Sequence, residues 1–305
     1  MATPLTADQL LAALHAEGVD VVEYEDWRTH NRNHMGAWGP LNGVMIHHTV
    51  SSGTAASVEL CYNGHSALPG PLCHGVIDKA GTVHLVGNGR ANHAGGGDPA
   101  VLRRVIAEDY GDRPPAPHEH EGSAGSVDGN ARFYGFECVN LGDGEGPWPA
   151  AQVEAIERVS AAICRAHGWT ARSVIGHLEW SDWKVDPRGF TMPSLRDRVA
   201  ARLSAPAGGA SASRPAEGTT TPRYQPFPGA SFFSGRTSSP LITAMGRRLV
   251  AEGCSSYAVG PGPRWTDADR RSYAAWQRKL GFRGSDADGV PGRTSWNALK
   301  VPHTK

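Results

Sequence analysis

The chain has 305 residues, with 30 Lys+Arg balanced by 30 Asp+Glu, a length that holds one full domain and a smaller second one. The even overall charge excludes the basic excess of a general nucleic-acid binder, and no run of roughly 18 apolar residues is present to cross a membrane. Charge is nonetheless uneven: residues 224–305 carry 12 Lys+Arg against 5 Asp+Glu, a net of +7, leaving −7 on residues 1–223, so an anionic polymer is the expected partner of the C-terminal end.

The start, M-A-T-P-L-T-A-D-Q-L-L, lacks a basic segment followed by an apolar one. The expectation is therefore synthesis in the cytoplasm without a signal peptide and without membrane insertion. A monomer is expected. Thr6 to Glu17 places Leu10, Leu11 and Leu14 on one helical face, with Thr6 and Gln9 spaced as a capping box and Gly18 as the stop. Residues 24–42 read as an irregular approach to a strand over Gly43 to His47, and a short helix is expected over Thr54 to Asn63. Cys73 to Ile77 and Thr82 to Val86 read as a β-hairpin turning at Asp78-Lys79-Ala80-Gly81. Residues 87–97 form a Gly- and Asn-rich loop carrying His93, a helix is expected over 98–110, and residues 111–130 read as irregular. Arg132 to Val139 alternates as a strand and places Glu137 at an exposed face or in a cleft.

From Pro149, the residues Val153, Ile156, Val159 and Ile163 recur at helical spacing up to Gly168, which predicts a helix covering one face of the sheet. A shorter amphipathic helix, Pro193 to Leu203, closes the domain. The fold expected is α/β, a mixed central β-sheet with helices packed on it, plus a small, mainly α-helical C-terminal domain. The expected boundaries are 1–204, a flexible Ala/Gly/Ser/Thr/Pro linker over 205–223, and 224–305. In the last part, Leu241, Ile242, Met245 and Leu249 share one helical face. Thr266 and Asp269 cap a second helix with Tyr273, Trp276 and Leu280 inward, and a third follows the D-G-V-P-G turn. Calcium does not suit that turn, because Asp286 and Asp288 lack the remaining ligands of an EF-hand. The five cysteines (61, 73, 138, 164, 254) have no C-x-x-C spacing. Reduced, buried thiols are expected rather than a disulfide framework or a zinc ribbon.

Chemistry concentrates in V-I-G-H-L-E-W-S-D-W-K-V-D-P-R-G-F (174–190). A short apolar run delivers His177, and the following loop returns Lys184 and Asp186. Val44-Met45-Ile46 delivers His47 in the same way. Two imidazoles and one carboxylate make a three-ligand Zn²⁺ set with the fourth tetrahedral position open to water, which is the layout of a hydrolytic zinc site. No compact local spacing announces the metal.

The segments I-H-H-T (46–49), C-H-G-V-I-D-K-A-G-T-V (73–83), N-H-A-G (92–95), Y-G-F-E (134–137) and G-H…K-V-D-P (176–187) stand in one order. From Val44 to about Leu203 the chain thereby resembles the zinc-dependent N-acetylmuramoyl-L-alanine amidases, the type shared by phage endolysins and peptidoglycan recognition proteins. A-A-W-Q and D-G-V-P-G-R-T-S-W resemble peptidoglycan-binding domains. The resemblance implies one Zn²⁺ held by His47, His177 and Asp186, and it alone prefers His47 to His48. It implies that Glu137 takes the water's proton and that Lys184 stabilises the oxyanion. His74 and His93 become candidates for contacting substrate, with a buried structural role as the alternative, favoured more for His74 than for His93, whose loop is more exposed in character. Cys73 stands where many relatives have Tyr, either as a core residue or lining the cleft.

The function expected is an endolysin-like peptidoglycan hydrolase cutting between N-acetylmuramic acid and L-alanine, acting on the wall after release as a phage lysis protein, with bacterial peptidoglycan as partner and no nucleic acid. The alternatives are a non-catalytic peptidoglycan-recognition protein, which usually lacks the third ligand, and a cytosolic wall-recycling amidase.

Overall fold

The computed structural model describes residues 2–144, 146–208, 224–235, 237–280 and 282–304. The chain falls into two compact units, Met1–Arg214 and Pro215–Lys305. Of the linker expected at 205–223, residues 209–223 lie outside the described residues.

The first unit is built on a six-stranded sheet. Its strands are β1 (Asp20–Glu23), β2 (Gly43–His48), β3 (Gly75–Ile77), β4 (Thr82–Leu85), β5 (Phe133–Cys138) and β6 (Val174–Gly176), in the order β1-β4-β3-β5-β2-β6. Only the β3–β4 hairpin is antiparallel; the other neighbours run parallel, so the α/β reading with a mixed sheet holds. Its turn closes because the Asp78 carboxylate accepts the backbone N–H groups of Ala80 and Thr82 at 2.9 and 3.0 Å.

Strand alternation assigns the two faces. Val44 and Ile46 of β2 join Tyr134, Phe136 and Cys138 of β5 in a core with Ile156, Val159 and Ile163. These last three lie on α4 (Ala150–His167), the fourth helix after α1 (Ala7–Ala16), α2 (Thr54–Asn63) and α3 (Pro99–Ala107). On the opposite face Met45, Phe133 and Ile175 pack with Val101 and Val105 of α3 and with Trp180. Each fully buried aliphatic side chain is worth about 1.5–3 kcal/mol, whereas an exposed i,i+4 pair such as Glu154–Arg158 of α4 is worth about 0.3–0.5 kcal/mol. Burial of its inner face, not its surface charge, therefore holds α4 in place. The capping box of α1 forms as its sequence predicts, Thr6 and Gln9 exchanging hydrogen bonds of 2.9 and 3.2 Å. Helix α5 (Met192–Leu203) completes the unit.

The second unit contains α6 (Pro240–Ala251), α7 (Asp267–Lys279) and α8 (Arg293–Leu299). Leu241, Ile242, Met245 and Leu249 are buried as their spacing requires, and the Asp269 carboxylate closes the cap on Thr266. Trp265, Trp276 and Trp296 are 8%, 5% and 1% exposed and belong to this core. Their indoles pack with Phe233, Met245, Leu249 and Tyr273, and two of them are anchored by N–H donation, Trp276 to the Ser295 carbonyl and Trp296 to the Gln225 carbonyl. None is a surface platform for sugar.

Candidate metal centre

Three neighbouring parallel strands, β5, β2 and β6, end together, and the site lies beyond their carboxyl ends, where open α/β sheets place ligands. His47 is the next residue after Met45 on the α3 face of β2, while His48 turns to the other face and accepts the Arg188 N–H at 3.2 Å. The register Ile46↔Gly176 brings His177, the first residue past β6, beside His47. The register His47↔Glu137 puts Glu137 on the same face one strand away. The loop leaving His177 returns to it: the Leu178 N–H donates to the Asp186 carbonyl at 2.7 Å.

His47 Nδ1, His177 Nδ1 and Asp186 Oδ2 form a triangle with sides of 3.0, 3.1 and 3.2 Å. The outer nitrogens fix the tautomers. His177 Nε2 lies 3.1 Å from the Ala94 carbonyl and must donate to it. His93 Nε2 donates to the Phe133 carbonyl, so His93 Nδ1 accepts, and His47 Nε2 is the donor across their 3.1 Å contact. With both outer positions protonated, the neutral rings turn two lone pairs and a carboxylate oxygen toward one point. Such groups repel unless a cation lies between them. Tetrahedral Zn²⁺ with bonds of 2.0–2.1 Å spaces its donors about 3.3 Å apart, close to the sides of this triangle, so the donor set fits the metal. Among the described residues no other group of three such side chains converges in this way.

Glu137 has one carboxylate oxygen buried without a hydrogen-bond partner. Burial raises its carboxyl well above the ordinary range, with the nearby Cys61 thiol and Asp186 adding to the shift and Lys184 opposing it. Lys184 itself is solvent-exposed on the loop between His177 and Asp186. Cys73 is fully buried, packed with Cys61. Burial first, and then the contact with Cys61, raise its thiol well above the normal value, so it is a core residue and not a reactive thiolate.

Two expectations are corrected here. His93 was expected in an exposed loop and is 7% exposed; the Asn130 side-chain carbonyl gathers the N–H groups of His93, Ala94 and Gly95 at 2.9, 2.8 and 3.3 Å and folds that loop over the sheet. His74, a candidate for contacting substrate with a buried structural role as the alternative, is fully buried, donating from Nε2 to the Gly89 carbonyl and accepting the Gly135 N–H at Nδ1. Neither ring offers a free nitrogen to a ligand.

The sequence reading missed the supports. Asn130 positions the Ala94 carbonyl that orients His177. Gly135 leaves room for the His93 ring, which a Cβ there would strike. Arg196 of α5 grips Glu179 with two bonds of 2.8 and 2.9 Å, and Glu179 accepts the Gly176 N–H, so a buried bidentate pair fixes the turn that carries His177. The E of G-H-L-E-W, two residues after a candidate ligand, is the only local hint of that pair.

Two solved structures are similar to this chain. An endolysin N-acetylmuramoyl-L-alanine amidase, LysCS from Clostridium intestinale, matches at 17% identity over 59% of this chain and 95% of its own, with a TM-score of 0.38. AmpDh3 from Pseudomonas aeruginosa, solved with an anhydromuramic pentapeptide, matches at 15% identity over 92% of this chain and 99% of its own, with a TM-score of 0.37. No curated protein sequence matches the chain significantly. The N-acetylmuramoyl-L-alanine amidase family (Amidase_2) matches residues 37–189, a span that contains all three converging ligands, Glu137 and Lys184. The chain belongs to this family, and its activity is that of an N-acetylmuramoyl-L-alanine amidase, hydrolysis of an amide bond in peptidoglycan.

Proposed function

We propose that the chain is an endolysin-like amidase that cuts the bond between N-acetylmuramic acid and L-alanine in the intact wall, with one Zn²⁺ held by His47, His177 and Asp186. The observation that carries the metal reading is the convergence of two Nδ1 lone pairs and a carboxylate oxygen whose ring partners are already pinned behind them. When bound, Zn²⁺ supplies an acidified water and polarises the scissile carbonyl. Glu137 supplies the base: its unpartnered oxygen lies on the same sheet face as His47, and its raised affinity for a proton suits it to take one from water and pass it to the leaving amine. Lys184 places a cation where negative charge develops on the carbonyl oxygen. His93 is a positioning residue, holding His47 with Nδ1 directed inward.

Action on intact wall, rather than recycling of soluble fragments, is supported by the second unit. Its net charge of +7 suits an anionic wall polymer, and it would serve no purpose in a cytosolic recycling enzyme. Digestion of purified peptidoglycan followed by mass analysis tests both levels. Stem peptides beginning with L-alanine are expected, and new reducing sugar ends or cut cross-bridges would refute the bond assignment. Turnover of soluble muropeptides with intact sacculi untouched would select the recycling alternative.

A further inference from the structure

Trp183 lies at the outer end of the loop whose two feet are His177 and Asp186, and its indole is 67% exposed. A lone exposed hydrophobic residue needs no explanation, but this one is braced. Its ring stacks on the His120 imidazole with centroids 3.5 Å apart and planes 13° from parallel. His120 Nδ1 donates to Asp182 Oδ1 at 2.8 Å, and the Asp182 N–H donates back to the Glu119 carbonyl. One face of the indole is thus fixed against a ring that is itself held in place, while the other is left to solvent. It lies three positions before Asp186 in the chain, a Cα–Cα span of at most about 11 Å. Val185, between them, is 50% exposed and extends the apolar surface.

We propose that Trp183 is a substrate-binding platform for the saccharide that carries the scissile lactyl amide. The proposal rests on the reading of the His47–His177–Asp186 centre as the place of amide cleavage. Within the substrate, the pieces divide by chemistry. A pyranose presents a flat face of C–H groups that packs on an aromatic ring, whose rigid apolar area gains contact at small entropic cost. The stem peptide carries carboxylates, which do not suit an indole. The muramic ring is joined to the scissile carbonyl by the short lactyl ether, so a carbonyl at the metal centre leaves its sugar within the reach set by the loop. His120 and Asp182 act through Trp183, holding its plane.

The test compares wild type, Trp183→Ala, Trp183→Phe and His120→Ala, each loaded with zinc, on two soluble substrates: a muramoyl peptide, and the same peptide acylated by lactate with no sugar. On the muramoyl peptide, Trp183→Ala is expected to raise KM roughly tenfold with kcat little changed, the scale of a single aromatic anchor. Trp183→Phe recovers most of the loss, and His120→Ala gives a smaller rise in the same direction. On the sugar-free substrate, Trp183→Ala and wild type should have equal KM. The free saccharide should inhibit wild type and not Trp183→Ala. Equal KM for wild type and Trp183→Ala on the muramoyl peptide would overturn the proposal, as would an equal loss on both substrates, which places the indole against the peptide. A wild-type enzyme that releases no stem peptide from either substrate or from intact peptidoglycan is a different result, and it would overturn the proposed function instead.

Discussion

His93 Nδ1 accepts a hydrogen bond from His47 Nε2 at 3.1 Å, and this contact, on the side of His47 away from Asp186, decides which nitrogen of His47 faces the metal position. A ring held in that tautomer keeps its Nδ1 lone pair directed inward. Partners of this kind are typically worth 10–100-fold in metal affinity. His93→Ala is therefore expected to weaken zinc binding by roughly 10–100-fold, read by competition with a chromogenic chelator. Gly135→Ala should act in the same direction, because the new Cβ displaces the His93 ring. Unchanged affinity in both variants would remove His93 from the support of the site.

Much of this was readable from short patterns and the rest was not. The capping box at Thr6, the hairpin turn at Asp78 and the inward face of α4 depend on residues within four positions of one another, so spacing announces them. His47 and His177 were legible because each ends a short apolar run. The supports connect distant segments: Asn130 reaches back to His93, and Arg196 reaches Glu179 across the start of α5. No local period marks such pairs. Helical spacing turned Trp276 inward, but Trp265 and Trp296 show the opposite difficulty, since an indole suits a core and a sugar-binding surface equally well by type, and only packing assigns these two to the core.

The buried pair behind His177 gives a stability prediction. Removing one partner of a buried, hydrogen-bonded ion pair leaves an unpaired charge inside, at a cost of about 3–5 kcal/mol. Glu179→Ala leaves Arg196 in that state. The midpoint of urea unfolding should fall accordingly in the metal-free protein, and zinc affinity should fall with it. A loss below about 1 kcal/mol, the level of a surface pair, would show that Arg196 finds water or another acceptor.

His74 makes stability depend on pH. Burial lowers its pKa from 6.5 to about 4 in the folded chain. As pH falls below 6.5, the unfolded state takes up a proton that the folded state refuses, so stability declines from there and the full loss is reached below about 4. A shift of this size is worth about 3 kcal/mol. Unfolding free energies of the metal-free protein at pH 7 and pH 4 should differ by about that much more in wild type than in His74→Gln. Equal pH slopes would mean that the ring titrates normally.

The second unit has its own core, so residues 224–305 alone are expected to fold and to sediment with cell walls. Its tryptophans are buried, so sugar stacking by them is not available and the +7 charge must supply the attraction. At physiological ionic strength the screening length is about 8 Å, and binding should weaken steadily as salt rises. Retention that ignores salt would point to a pocket recognising a neutral group.

The last prediction separates proton transfer from metal binding. Glu137→Gln keeps the shape of the side chain but cannot accept the water's proton, so zinc content should survive while turnover falls by roughly 10²–10⁴, the usual worth of a positioned general base. Cys73→Ser should fall far less. The Cys73 thiol is fully buried and resists ionisation, first through burial and then through its contact with Cys61, so it cannot serve as a thiolate ligand or as a base near neutral pH. Because burial raises Glu137 as well, the base form should be lost on acidification at a pH above the ordinary carboxylate range, giving wild type an acid limb in kcat that Glu137→Gln lacks. Both variants are to be assayed on the same peptidoglycan with zinc quantified in each. If Cys73→Ser proves the severe change and Glu137→Gln the mild one, the base is misassigned, while the triangle of His47, His177 and Asp186 stands unaffected.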